Sequence, residues 1–335
     1  MNPVPSTPPP PLVGRLAPSP TGALHLGNAR SFLLAWLSIR LRGGNIILRM
    51  EDLDHPKVKQ NAAADAIHDL RWLGLDWDTE HTQSERREIY RDTLAALRAK
   101  KLVYPCVCSR SQLEDAQSAP HISSRDHILR YAGTCRDKFQ DWKAAQNFIR
   151  TTAAADGSTR LPVWRFNTAG ITQSKFEDGF CGWQSLDTAT IFGDFALARD
   201  ADGAGYTLAV VADDAAMGVT EVLRGNDLLD ATHCQLALYN ALGFAPPRFI
   251  HVPLVVAEDG RRLAKRHGDT RISALRAAGN SPQKILGLLA WWCGWAEFGE
   301  ELTLDEILRR FNLQTLNKEP AILTPAVLQM LQIAE

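Results

Sequence analysis

The 335 residues suffice for a sizeable core and more than one domain, and they carry 37 Lys and Arg against 38 Asp and Glu. The net charge of −1 excludes a polycation that coats nucleic acid nonspecifically, while leaving room for a local basic surface that meets a structured RNA. No apolar run approaches the roughly 20 residues that span a bilayer, and the start lacks a basic segment followed by an apolar one, so a soluble cytoplasmic protein is expected.

Residues 1–11 hold six prolines and little that packs, and read as a mobile, partly extended tail. Val13–Ala17 is a short apolar run suited to a buried strand, stopped by Pro18 and Pro20. Thr21-Gly22 then turns the chain into an amphipathic helix over Asn28–Arg42. Such a turn presents backbone N–H groups and the positive end of a helix to an anion. Gly22 and Gly27 withhold side chains where phosphate oxygens approach, and His25 sits beside them. A lone His-x-Gly, by contrast, is more often a plain strand-to-helix connection. Gly43-Gly44 ends the helix and Asn45–Met50 supplies a second strand. A strand, helix, strand unit implies a right-handed crossover and a parallel sheet with ligands at the carboxyl ends of its strands. Glu51, Asp52 and Asp54 follow at that edge, where a carboxylate suits an ammonium group; as structure alone they are capping or solvated acids.

Asn61–Leu73 and Arg86–Lys101 have helical spacing, with Trp72–Trp77 as a helix end and loop. Among the six cysteines, Cys106, Cys108 and Cys135 form the only cluster. Two thiolates one residue apart and a third from a later turn suit a tetrahedral zinc site that needs a fourth ligand, although Cys-x-Cys alone is more simply a pair of buried thiols. Trp164–Asn167 and Gly193–Ala198 read as strands, with 200–205 as the turn before Tyr206–Val211, by which an insertion returns to the sheet. Asp230–Leu242 reads as a helix and Phe249–Val252 as a strand. After the Asp259-Gly260 turn comes a basic loop, Arg261-Arg262-Leu263-Ala264-Lys265-Arg266-His267-Gly268, of a kind that is often merely solvated. From Ser281 onward Ile285, Leu288, Leu289 and Trp292, then Leu304, Ile307, Leu308 and Phe311, mark a small helical cap, in which Trp291, Trp292 and Trp295 are packing residues.

Arg-x-Ala-Pro-Ser-Pro-Thr-Gly-x-Leu-His-x-Gly over 15–27 resembles the first signature of glutamyl-tRNA synthetases and their relatives. His25-Leu26-Gly27-Asn28 takes the place of their His-Ile-Gly-His element, which acts on ATP; the final His is Asn28 here. Arg-x-Glu-Asp-Leu-Asp over 49–54 resembles the second substrate element, whose amino-group-binding glutamate matches Glu51. Two blocks, Tyr206–Asp214 and Gly218–Asp227, resemble that family's next motifs, in which Tyr206 and Arg224 match a substrate-binding tyrosine and arginine. The basic loop resembles the mobile Lys-Met-Ser-Lys-Ser loop, with Ala264 in place of the serine and Lys265 as the lysine that neutralises charge as pyrophosphate leaves. Tyr-x-x-x-Cys at 131–135 resembles the zinc knuckle of glutamyl-queuosine tRNA(Asp) synthetases, in which a tyrosine oxygen completes the site. The gap before Tyr131 is longer than is usual there and holds His121 and His127, either of which is a more ordinary zinc ligand.

The chain thus looks like a member of that shortened family, over residue 13 to the early 280s. The resemblance implies an α/β fold: a Rossmann-like parallel-sheet core in two halves (12–104 and 191–280), an inserted acceptor-type subdomain with one structural Zn2+ (105–190) and a small helical region (281–335), with no large anticodon-binding portion. It implies activation of L-glutamate with ATP and Mg2+, then transfer to the queuosine base in the anticodon arm of tRNA(Asp); neither membrane nor DNA is an expected partner. Arg15, Ala17, Ser19, Glu51, Tyr206 and Arg224 would hold glutamate, and His25, Gly27, Asn28 and Lys265 ATP. Two carboxylates and one ammonium call for two cations and one anion, a set that Arg15, Arg224 and Glu51 supply. The rival readings are a truncated synthetase charging a tRNA 3′ end, a nucleotidyltransferase acting on another acid, and an inactive RNA-binding module.

Overall fold

In the computed structural model, which describes residues 11–53, 58, 61–109, 112, 130–153, 160–171, 173–199, 203–261, 263 and 269–333, the chain opens on β1 (Val13–Leu16), buried at every position. It crosses through α1 (Leu26–Arg40) to β2 (Asn45–Met50), which runs parallel to β1 with Arg15 opposite Ile47. α1 begins two residues before Asn28 because His25 is itself the cap. The Pro-rich segment 1–10 lies outside the described residues.

α2 (Ala62–Trp72) leads to β3 (Thr79–Thr82), which adds in parallel to the other edge of β2. This strand was not foreseen: Thr-Glu-His-Thr has no apolar face to mark it, and pairing with β2 rather than burial defines it. α3 (Arg87–Ala99) follows.

The intervening segment begins with β4 (Val103–Cys106), continues through α4 (Trp142–Ala153), β5 (Val163–Phe166), β6 (Ser174–Asp178), β7 (Gly182–Leu186) and α5 (Thr188–Ile191), and ends at β8 (Ala196–Ala198). β5 is central in an antiparallel sheet between β4 and β8, and β6 and β7 form a hairpin.

Tyr206–Ala216 then forms a helix, α6, where the sequence pointed to a return into the sheet. Its centre, from Leu208 to Asp214, is buried throughout. A segment enclosed on all sides shows no periodicity, so an apolar run cannot be told from a buried strand by pattern alone. β9 (Glu221–Gly225), α7 (Ala231–Leu242) and β10 (Arg248–Val252) complete the second half, with β9 and β10 parallel. Just before β9 the Thr220 N–H donates to Val13 O at 2.9 Å, which sets β9 on the free edge of β1. The three-stranded sheet β3-β2-β1 and the pair β9-β10 thus lie side by side, with a crevice at the carboxyl ends of β1 and β9.

After β11 (Val255–Ala257) come α8 (Ile272–Ala277), α9 (Pro282–Cys293) and α10 (Leu304–Arg310). β12 (Ala321–Leu323) and α11 (Pro325–Met330) close the described chain. The region read as a helical cap therefore also contributes a strand, since β12 pairs in parallel with β11. Trp292 and Trp295 are buried, donating to Ile322 O and to the Thr315 hydroxyl. The main core joins α1 and the sheet to these helices through Leu33, Leu37, Leu48, Ile250, Leu289 and Ile307. Among the described residues no helix is long and apolar enough to cross a membrane.

Candidate active site

A cavity of about 520 Å³ opens at the crevice. Arg15 and Ala17 come from the end of β1, His25, Gly27 and Asn28 from the start of α1, Glu51 from just past β2, Tyr206 from the first turn of α6, and Arg224 from β9. The structure thus brings together all of these sequence-selected residues. Ser19 is apart from them: it is exposed, outside the lining, and 3.4 Å from the Thr21 hydroxyl. Lys265 lies outside the described residues, with Arg262, Arg266 and His267. Both flanks of its loop are at the site, for Leu263 lines the cavity and the Leu26 N–H donates to Thr270 O at 3.1 Å.

Within this lining His25 caps α1. Its Nδ1 accepts from the Gly27 N–H at 3.1 Å, and Asn28 Oδ1 accepts from the His25 N–H at 3.4 Å. A ring that accepts at Nδ1 carries its proton at Nε2. Burial keeps the imidazole below its ordinary pKa, so it is neutral near neutrality. A Cβ on Gly27 would come within 3.0 Å of the His25 ring. A side chain here would press on the imidazole at the helix N-terminus.

The same cavity is lined by two guanidinium groups and one carboxylate, Arg15, Arg224 and Glu51. Arg15 and Arg224 are buried, and Arg15 Nε and Arg224 Nη1 have no hydrogen-bond partner among the described residues. Burial lowers the Arg15 pKa from its usual value, partly offset by the Asp214 carboxylate. Unpaired buried N–H groups cost free energy unless a ligand or water satisfies them. Glu51 accepts from Arg49 Nη2 at 3.0 Å and Nε at 3.3 Å, both on Oε1. Burial raises its carboxyl above the ordinary value, against the pull of Arg49 and Arg15. Tyr206, 42% exposed, offers its ring to the same space.

A second cluster lies at the end of β4 and in the segment that follows it. The sulfurs of Cys106, Cys108 and Cys135 all fall within 4.8 Å of one another, with Cys108 and Cys135 3.6 Å apart. The Tyr131 hydroxyl is 3.7 Å from Cys108 Sγ and accepts from the Cys135 N–H at 2.7 Å. Tetrahedral coordination with metal–sulfur bonds of about 2.3 Å places sulfurs roughly 3.8 Å apart, so the three sulfurs fit one metal ion, with the Tyr131 oxygen beside Cys108. Hydrogen bonds from the Cys106 and Cys108 thiols pull the Cys135 thiol below its ordinary pKa. Gly193, at φ +62°, lets the Tyr131 backbone pass against it; a Cβ there would lie 1.9 Å from Tyr131 O. His121 and His127 lie outside the described residues.

With this geometry established, the family model for tRNA synthetases class I (E and Q), catalytic domain, matches residues 11–330. The chain belongs to this family. Within it, the chain is 46% identical to a glutamyl-Q tRNA(Asp) synthetase of Symbiobacterium thermophilum, covering 92% of this chain and 95% of the relative. It is 42% identical to one of Rhodopirellula baltica, over 92% of this chain and 96% of that one. A glutamate tRNA ligase structure from Elizabethkingia meningosepticum superposes with a TM-score of 0.74 at 23% identity, covering 96% of this chain and 68% of that one, a likeness of fold. The match to residue 330 extends the family likeness beyond the early 280s.

The class I core rests on supports the sequence did not single out. Arg49, fully buried, reaches Asp214 Oδ1 at 2.5 Å as well as Glu51. Its neighbour Asp213 accepts from Gln83 at 2.9 Å, Arg86 at 2.7 Å and Tyr90 at 2.7 Å. The available signal was an arginine inside an apolar strand and paired acids inside an apolar helix, since buried charges require partners. Arg224 is held by His251, Thr232 and Gln235 at 3.0, 2.8 and 2.7 Å.

Proposed function

We propose that this chain activates L-glutamate with ATP without tRNA, then transfers the glutamyl group to the queuosine base at the wobble position of tRNA(Asp). The observation that carries this reading is the convergence of Arg15, Arg224 and Glu51 in one cavity that the His25-capped start of α1 also lines. It agrees with near full-length similarity to relatives named for glutamyl-Q tRNA(Asp).

In this reading Glu51 receives the substrate ammonium and the two arginines its carboxylates, with Tyr206 and Ala17 around it, while Ser19, outside the lining, makes no contact with it. The phosphates of ATP, screened by Mg2+, lie against the α1 N-terminus, where His25 Nε2–H, Asn28 and the open face at Gly27 meet them. An oxygen of the glutamate α-carboxylate bonds to the α-phosphorus while the bond to the β-phosphate oxygen breaks, releasing pyrophosphate. No covalent enzyme intermediate forms. Rate comes from alignment and from donors aimed at the migrating charge, among them Lys265. A hydroxyl of the queuosine base then takes the acyl group and AMP departs. Arg261, Arg262 and Arg266 help hold phosphates of the anticodon arm.

Cys106, Cys108, Cys135 and Tyr131 hold one structural Zn2+ in this reading, fastening a segment with few apolar residues of its own. The core comprises residues 12–104 and 191–280, the zinc-bearing insertion 105–190, and the C-terminal region 281–335. Glutamate-dependent exchange of labelled pyrophosphate into ATP without tRNA tests the first step. Exchange that appeared only with tRNA would overturn the assignment. Lys265→Ala should slow exchange much more than it weakens glutamate binding.

A further inference from the structure

Asp178 and His251 are fully enclosed, lie outside the cavity lining, and connect the inserted hairpin to Arg224. Asp178 Oδ1 accepts from three backbone N–H groups: Phe180 at 3.0 Å, Cys181 at 2.8 Å and His251 at 3.1 Å. Its Oδ2 is left to His251 Nδ1 at 2.7 Å. A carboxylate only accepts, so Nδ1 bears the ring proton and Nε2 is a lone pair. That lone pair takes the Arg224 Nε–H at 3.0 Å and lies 3.1 Å from the Thr232 hydroxyl oxygen, which donates to Leu228 O at 2.9 Å. Arg224 Nη2 is occupied by Thr232 and Gln235, which leaves Nη1 as its unpaired nitrogen.

We propose that Asp178 and His251 are positioning residues for the substrate carboxylate: Asp178 fixes the tautomer of His251, and His251 holds Arg224 Nε, so that the guanidinium keeps its place in the cavity lining with Nη1 free of any other hydrogen-bond partner among the described residues. This rests on the reading of Arg224 as a glutamate-binding residue. Protonation states agree with it. Burial holds the His251 imidazole below its ordinary pKa. Burial would raise the Asp178 carboxyl, yet the hydrogen bonds from His251 and the backbone amides hold it below the usual carboxylate value. The hairpin β6–β7 thereby contributes to amino-acid recognition through Asp178.

Asp178→Asn tests the relay with almost no change of shape. Three N–H donors pin the amide oxygen at the Oδ1 position, which puts the amide nitrogen opposite His251 Nδ1. Nδ1 must then accept, the ring proton moves to Nε2, and it confronts the Arg224 Nε–H donor to donor. The 15N NMR signals of His251, assigned by their loss in His251→Gln, should change from the Nδ1–H to the Nε2–H pattern. The KM for glutamate should rise roughly tenfold or more while the KM for ATP stays within about twofold, the split expected when one substrate contact is misplaced. His251→Gln supplies an amide oxygen to Arg224, and adding Asp178→Asn to it should change the glutamate KM little. A switched tautomer with glutamate and ATP affected equally, or neither affected, overturns the proposal. A wild-type ring protonated on Nε2 also overturns it, and that result needs no variant to fold. The wild-type tautomer is read without substrate, so it decides the relay separately from whether the enzyme uses glutamate.

Discussion

Arg49 Nη1 meets Asp214 Oδ1 at 2.5 Å with both side chains sealed from solvent. Burial alone would lower the Arg49 pKa, but Asp214, Glu51 and Asp213 together raise it above its ordinary value, so it is a permanent cation beneath the cavity. Arg49→Met should therefore strand buried carboxylates and destabilise the fold by about 3–5 kcal/mol, measured by denaturant unfolding. A loss under about 1 kcal/mol would show that the pair is dispensable.

Glu51 makes an opposite prediction for stability and binding. Its folded pKa lies above the unfolded value, chiefly through burial. The proton is therefore bound more tightly in the folded state, and this contribution, present below the unfolded pKa, is lost as pH rises through the folded pKa. Glu51→Gln mimics the protonated form, so at neutral pH it should raise Tm while abolishing saturable glutamate binding. The gain in Tm should vanish in acid. An unchanged glutamate KM would remove Glu51 from the ammonium site.

His25 combines a cap and a donor, and substitutions separate the two. His25→Asn retains a strong N-cap, whereas His25→Ala removes it at a cost of about 0.5–2 kcal/mol. Both should lower the exchange rate by roughly a hundredfold, the scale expected for one oriented donor. Because the folded imidazole pKa is lowered by burial, its stabilising contribution is present above the unfolded pKa and lost as pH falls through the folded one. Full activity in His25→Asn would reduce His25 to a cap.

The unit from β1 through α1 to β2 was legible because Pro18, Pro20 and Gly43-Gly44 punctuate apolar runs of the right length. Most of the pocket followed from motif order, since Arg15, Glu51, Tyr206 and Arg224 each sit at an element end facing one crevice. β3 was hidden by its polar sequence, and α6 by burial on all sides, which erases the helical period. The bond from His251 to Asp178 joins positions 73 apart, and nothing local to either marks it. The C-terminal strand β12 is three residues long and is defined by its pairing with β11.

The cysteine cluster predicts about one zinc per chain in protein purified without added metal, read by elemental analysis. Chelation should lower Tm, because a site of this kind contributes folding free energy. Tyr131→Phe should lose metal, whereas His121→Ala and His127→Ala should keep it. Full retention in Tyr131→Phe would exclude the phenol oxygen as the fourth ligand, and absence of zinc in the wild type would leave three ordinary thiols and a tyrosine.

Recognition of a queuosine acceptor depends on unstacked bases of the anticodon loop, whose edges and faces a protein can read directly. The central claim is tested most directly by transfer of labelled glutamate to tRNA(Asp) that carries queuosine, beside the same transcript without the modification and unmodified tRNA(Glu). The account predicts label on the modified tRNA(Asp) alone; efficient glutamylation of tRNA(Glu) would contradict it.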